Sequence, residues 1–392
     1  MRLNLFLSTS CKFIKKLTPF ISAFIFTLVI AYTLSLNTQL TNLKIASERL
    51  KTASAAANQE LENLKNQDQY RINQTLITEI KSIHETYNQA TAAYENILEL
   101  KKDSQKTEEL DKTYAQILKL LADKNYSSAA ATLTQLQEQI KEQEKKLAAN
   151  FKIPTVVSNN QPPASGYSRQ QVQTESGNFM IDIASADLNS TKIVVDTAAE
   201  SNCSNNCPVL SLGDYISRNN AFAGINGSYF CPAAYPSCVG KTNSFDTLLM
   251  NKNKQYFNSE NNIYSTVPAV IFSGNSARFV SKSLEWGRDT SVDAVIANYP
   301  LLIINNEIIF QNSNDSKHNS KGPRNFIGTT NSTVYIGIIH NATLLEATKV
   351  LKTLGVANAL NLDSGGSSAL WHGGYKYGPG RNVPNAILLV ER

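Results

Sequence analysis

Four segments of this 392-residue chain gather side chains that could do chemistry. In NLDSGGSSALW (361–371), an apolar run delivers Asp363 into a turn of Gly365, Gly366, Ser367 and Ser368. Such a turn opens backbone N–H groups and hydroxyls to an anion, although most Gly/Ser turns are merely structural. In KGPRNFIGTT (321–330), Pro323 fixes the backbone before Arg324, which opens an apolar strand. A lone arginine there is ordinarily a surface charge. In AGINGSYFCP (223–232), the Asn226-Gly227 pair makes a tight turn able to present the Asn226 amide. The last, GGYKYGPGRNVPNAILL (373–389), is a loop carrying Arg381 and Asn385 into a final strand. Asp246 and Asp289 are spare loop carboxylates, and His372 beside Trp371 reads best as a surface histidine.

These segments need a framework, and glycine and proline show where it begins. All 18 glycines lie at or after Gly166, and neither Gly nor Pro occurs between Pro19 and Pro154. Both residues oppose helix interiors, so the first 150 residues read as helical. From Tyr167 the pattern turns strand-rich: FMIDIA (179–184), KIVVDTA (192–198), AVIFS (269–273), ARFVS (277–281), LLIINNEIIF (301–310), TVYIGII (333–339) and AILLVE (386–391) are short apolar runs between turn residues. Helices are expected at Leu212–Arg218 and Leu344–Leu354, the second capped by Gly355. The fold class is therefore α+β: a mixed β-sheet domain over 167–392, preceded by a linker (151–166) and a helical segment.

The helical segment divides in turn. Residues 17–36 are uncharged for 20 residues, about 30 Å of helix and so the thickness of a bilayer core. Lys12, Lys15 and Lys16 in the basic tail 1–16 place the N-terminus in the cytoplasm and the remainder in a periplasmic or extracellular space. A cleavable signal peptide is the rival reading, disfavoured by the length of the apolar stretch. Residues 38–150 read as a coiled-coil-like stalk with a long helix to about residue 100. Leu76, Ile80, Ile83, Tyr87, Ala90, Tyr94 and Ile97 keep one stripe on one face. Leu133, Leu136, Ile140 and Leu147 make a second set, with a helix stop and N-cap at Asp123–Ser127. The stalk serves as a spacer, with homo-oligomerisation through it as a further expectation.

Cys203, Cys207, Cys231 and Cys238 fall close together in the strand-rich part. An even number in an oxidising compartment indicates two disulfides. Four cysteines allow three connectivities, of which the local pairs Cys203–Cys207 and Cys231–Cys238 are preferred. Zinc would ordinarily take C-x2-C pairs, which these spacings lack, so no metal site is expected. With 42% hydrophobic residues, 18% charged residues and a net charge of +5, disordered tails, polytopic transporters and nucleic-acid binding are disfavoured.

Together with Tyr299-Pro300-Leu301, these segments resemble the phosphodiester glycosidase family over roughly residues 175–392. The matching elements are Asn226-Gly227-Ser228-Tyr229-Phe230, Tyr299 to Leu301, Arg324 to Gly328, Asn361 to Ser368 and Arg381 to Ala386. Ser364 departs from the family by replacing the first glycine of its Gly triplet. The resemblance implies hydrolysis of a sugar-1-phosphodiester at the anomeric carbon. A phosphate leaving group needs charge neutralisation more than the proton an alkoxide requires. Arg324 and Arg381 are accordingly expected to bind phosphate by bidentate hydrogen bonds. The Gly365–Ser368 turn would donate to phosphate or sugar, and Asn226 and Asn385 would contact substrate. Asp363 would act as nucleophile, general base or transition-state stabiliser. No cofactor is expected, with a divalent cation left open as an aid at the phosphate. An anchored enzyme facing outward points to cell-envelope phosphoglycans. Two alternatives differ in class: a serine hydrolase using Ser367 or Ser368, which lacks a G-x-S-x-G elbow, and a non-catalytic polysaccharide- or cell-wall-binding module.

Overall fold

The computed structural model describes residues 4–65, 68–103, 107–150, 158–260, 265–311 and 313–392. Helices are α1 (Asn4–Lys65), α2 (Asp68–Asp103), α3 (Glu108–Ala122), α4 (Tyr126–Asn150), α5 (Leu212–Asn219), α6 (Ser316–Asn319) and α7 (Leu344–Thr353). The strands in chain order are β1 (Gly166–Thr174), β2 (Gly177–Asp187), β3 (Thr191–Thr197), β4 (Ala223–Asn226), β5 (Leu249–Met250) and β6 (Tyr256–Phe257). Next come β7 (Ala269–Ser273), β8 (Ser276–Val280), β9 (Ala294–Ala297), β10 (Leu301–Ile304), β11 (Glu307–Ile308) and β12 (Gly322–Thr330). The last are β13 (Thr333–Ala342), β14 (Asn358–Asn361), β15 (Leu370–His372), β16 (Tyr375–Tyr377) and β17 (Asn385–Glu391). The fold is α+β, helical first and sheet-rich after.

By compactness the chain forms two units, Met1–His84 and Glu85–Arg392. In the first, Ala23–Lys65 of α1 is long and apolar enough to cross a membrane. Its apolar side chains, Phe24, Phe26, Leu28 and Leu34 among them, are exposed. The long helix expected from about residue 38 to 100 falls on α1 and α2, with residues 66 and 67 lying outside the described residues. The anchor residues 17–22 have no described side-chain environment, and linker residues 151–157 are also outside.

The boundary between units falls within the expected stalk because the later helical residues pack on one another. Ala90, Ala93, Ile97 and Leu100 of α2 share a core with Leu110, Ile117 and Leu121 of α3 and Leu133, Leu136 and Ile140 of α4. The seam read from the sequence is thus partly consumed within the chain, while Leu76 and Ile80 remain exposed. Three acids, Glu108, Glu109 and Asp111, occupy the first turn of α3, where the helix dipole favours them. Lys124 takes a left-handed φ of 57° in the following turn, and Asn125 Oδ1 accepts the Ser128 amide at 3.2 Å, capping α4.

Three antiparallel sheets build the rest. Their strand orders are β1-β2-β13-β12-β14-β10-β11, β16-β15-β4-β17-β3 and β6-β5-β9-β7-β8. One shared core joins their inner faces, with Ile338 and Leu360 from the first, Val195, Ile225 and Ile387 from the second, and Leu249, Val270 and Ile296 from the third. Helix α7 covers the outer face of the first sheet through Leu344, Ala347, Val350 and Leu351. Reciprocal capping boxes start α5 (Ser211 with Asp214) and α7 (Thr343 with Glu346). Gly355 follows α7 at φ 74°. The run 301–310, read as one strand, is a hairpin instead: Asn305 and Asn306 both have positive φ, the requirement of a tight two-residue turn. Both expected disulfides form, with Cα separations of 5.6 Å for Cys203–Cys207 and 5.3 Å for Cys231–Cys238.

Candidate active site

Strand ends from all three sheets meet at a floor of buried asparagines. Asn226, at the end of β4, donates from Nδ2 to the Asp363 carbonyl at 2.7 Å. Its Oδ1 accepts from Asn325 Nδ2 at 2.7 Å and the Ala369 amide at 3.1 Å. Asn298, just beyond β9, donates to the Asn361 carbonyl at 2.8 Å and accepts the Tyr229 amide at 3.0 Å. Asn361, ending β14, donates to the Tyr229 hydroxyl at 2.6 Å and the Tyr299 carbonyl at 2.9 Å. Asparagine suits such junctions because one side chain offers both donors and an acceptor to backbones that have left their ladders. Gly227 is required beside Asn385, whose Oδ1 would lie 1.9 Å from any Cβ there.

This floor holds Asp363 and the following turn. Asp363 is buried, and the Ser364 amide and Ser367 hydroxyl both reach its carboxylate. Burial outweighs those hydrogen bonds and pushes its pKa up to about 7. Ser364 braces the turn: its hydroxyl donates to the Leu362 carbonyl at 3.2 Å and accepts the Asn325 amide at 3.1 Å. The Arg381 loop lies against the same turn, with the Arg381 amide donating to the Gly366 carbonyl at 2.9 Å. Gly380, at φ 68°, comes so close that a Cβ would sit 2.8 Å from the Ser368 carbonyl oxygen.

A cavity of about 900 Å³ opens above, and Arg324, Asp363, Gly365, Ser367 and Arg381 all line it. Side chains from three separate segments of the sequence therefore reach one hollow. Aromatic rings of Tyr229, Phe230, Tyr235, Tyr299 and Tyr377 form much of its wall. Tyr229 and Tyr299 lie 5.1 Å apart between ring centroids. Lys317 adds a cation near Asp363 and above the Tyr235 ring. Sequence reasoning missed Lys317 and Tyr235, since segments 315–320 and 231–238 carry no catalytic motif of their own, and it gave Tyr229, Phe230 and Tyr299 no role as a wall.

Several expected contacts take another form. Arg324 donates from Nε to the Ala342 carbonyl at 2.9 Å and from Nη2 to the carbonyls of Lys317, at 2.8 Å, and Ser320. A buried guanidinium must satisfy its N–H groups. The bidentate phosphate grip expected of Arg324 is therefore already committed, although among the described residues Nη1 makes no hydrogen bond. Burial also lowers its pKa. Asn226, Asn385 and Ser368 are almost wholly inaccessible and lie beneath the cavity instead of facing it. Ser368 donates to Asn325 Oδ1 at 2.9 Å, and Asn385 bonds Ser228. Asp246 and Asp289 are exposed and are not among the cavity-lining residues, nor is His372, which stacks with Tyr167.

The Gly366 amide and Arg381 already hold an anion from the chain itself. Glu99 of α2 accepts from the Gly366 amide at 2.9 Å, from Arg381 Nη2 at 2.5 Å and from the Tyr235 hydroxyl. An anion site at this turn is thus realised by the fold.

Residues 219–390 match the family model described as phosphodiester glycosidase. The match falls on the stretch whose motifs had suggested this family. Among solved structures, a hypothetical protein from Synechocystis is similar at 13% identity with a TM-score of 0.41, covering 58% of this chain and 62% of that one. The zebrafish N-acetylglucosamine-1-phosphodiester alpha-N-acetylglucosaminidase catalytic domain, auto-inhibited by its pro-peptide, is similar at 15% identity with a TM-score of 0.46. That similarity covers 60% of this chain and 87% of the zebrafish chain. Comparison with curated proteins finds no match.

Proposed function

We propose that the protein is a membrane-anchored hydrolase that cleaves a sugar-1-phosphodiester at the anomeric carbon. The observation carrying this reading is the convergence of Asp363, Arg381 and the Gly365–Ser367 turn on one aromatic-walled cavity. Sugar rings pack their C–H faces on aromatic side chains, and the guanidinium and turn amides suit a phosphate. The phosphate departs without a proton, so the remaining proton-transfer task is to activate water. Asp363 takes a proton from water as its oxygen bonds to the anomeric carbon. The bond from that carbon to the phosphate oxygen breaks, and its electron pair leaves with the phosphomonoester. Arg381 offsets the developing charge, while Asn226 and Ser364 hold Asp363 in place. A carboxyl group with a pKa near 7 is matched to this role at neutral pH.

The apolar helix and the two disulfides support an anchored protein whose domain faces an oxidising space. Basic residues 2, 12, 15 and 16 then remain in the cytoplasm. Envelope or extracellular phosphoglycans are the substrates such a placement makes available, with no cofactor in the step written above.

The test is release of reducing sugar from a sugar-1-phosphodiester by the purified full chain. D363A and R381A should each lower turnover by at least a hundredfold. Glycan binding without turnover in the unaltered protein would instead support a binding module.

A further inference from the structure

Glu95 and Glu99 lie one turn apart on α2 and both leave their own helix for the sheet domain. Glu95 is buried and accepts from the Ser237 amide at 3.2 Å and from its hydroxyl. It thereby ties α2 to the loop closed by Cys231–Cys238. Glu99 reaches further, to a guanidinium, a turn amide and a phenol that converge on its two oxygens. The Arg381 guanidinium also lies over the Tyr235 ring, 5.1 Å from its centroid. Burial, followed by the neighbouring Glu99 charge, raises the Tyr235 pKa, so this hydroxyl remains a donor.

We propose that Arg381, the Gly366 amide and Tyr235 form the subsite for the substrate's phosphodiester, and that Glu99 is its tethered competitor. This rests on the hydrolase reading for the identity of the substrate, but not for the existence of an anion subsite. A phosphodiester and a carboxylate are both monoanions with two equivalent acceptor oxygens, so each can satisfy the same three donors. Substrate then enters only when the Glu99 side chain gives up the subsite. A site filled by its own chain for most of the time shows its ligand an affinity reduced by the fraction open.

The experiment is calorimetric titration of the detergent-solubilised full chain with dimethyl phosphate, a monoanionic phosphodiester. E99Q and E99A should bind it at least tenfold tighter than the unaltered chain, and R381A should abolish binding in every background. Equal or weaker binding by both Glu99 variants would overturn the proposal. Hydrogen exchange of the unaltered chain keeps the idea testable should the variants unfold. Saturating dimethyl phosphate should speed exchange of the amides around residues 95–100, and unchanged exchange at saturation would also overturn it. Reducing-sugar release separates the two readings. Tighter binding without turnover in E99Q sinks the hydrolase and leaves the competitor standing, whereas turnover without tighter binding does the reverse.

Discussion

Asn226 Nδ2 donates to the main-chain carbonyl of Asp363 at 2.7 Å, across 137 residues of sequence. Asn226 is wholly buried, and its Oδ1 is shared between Asn325 and Ala369. Replacement by alanine leaves those donors without an acceptor, at a cost of about 2–4 kcal/mol in stability. Denaturant melts of N226A should show that loss. Its kcat should fall at least tenfold with a smaller change in KM, because Asp363 shifts while Arg381 and the turn remain.

Asp363 should oppose stability at the pH where it works. Its folded pKa of about 7 lies above the unfolded carboxyl range near 4, so between these values the folded state binds more protons. The stability present below pH 4 is therefore lost as pH rises toward 7. Asp363→Asn removes that dependence. At pH 8 the variant should be more stable than the parent by on the order of 2–4 kcal/mol, and near pH 4 the two should converge. Thermal melts across this range provide the check.

The same carboxyl should shape the rate profile. As a base it must be ionised, so kcat/KM should fall about tenfold per pH unit below pH 7 and level off above it. A profile that instead declines above pH 7 would make Asp363 an acid.

Gly380 packs its α-carbon against the backbone of the Gly365–Ser368 turn. Gly380→Ala places a methyl group on the Ser368 carbonyl oxygen and forces an L-residue to φ 68°. A cost of about 1–3 kcal/mol is expected, carried by displacement of the Arg381 loop. KM should rise more than kcat falls, since Arg381 is the group moved.

The Cys231–Cys238 bridge closes the loop that presents Tyr235 to the cavity. Replacing both cysteines by serine should lower stability by about 2 kcal/mol through the loop entropy regained on unfolding. KM should rise several-fold, because Tyr235 and Pro232 line the cavity from this loop. The Cys203–Cys207 pair has no residue among those lining the cavity, so its replacement should leave KM unchanged.

Local chemistry accounts for what could be read in the sequence. Glycine and proline disfavour helix interiors, so their absence between Pro19 and Pro154 announced the helices and their return announced the sheets. Cysteines a few residues apart can meet without help from the fold, and both local bridges form. The Asp363 turn and the Arg381 loop were legible because their residue types are unusual for a bare core. Asn305 and Asn306 were misread inside an apolar run, since a strand and a hairpin share composition until the turn's φ values are known.

Tertiary structure decided which of those side chains line the cavity. Arg324 and Arg381 look alike in sequence, yet backbone carbonyls converge on one and leave the other facing an anion site. The strand crossings buried Asn226 and Asn385 beneath the cavity, and the helix packing of α2 brought Glu99 to Arg381. Burial and desolvation are sums over neighbours from distant parts of the chain, so no local pattern encodes them. Residue types set which interactions were available here, and three-dimensional proximity selected among them.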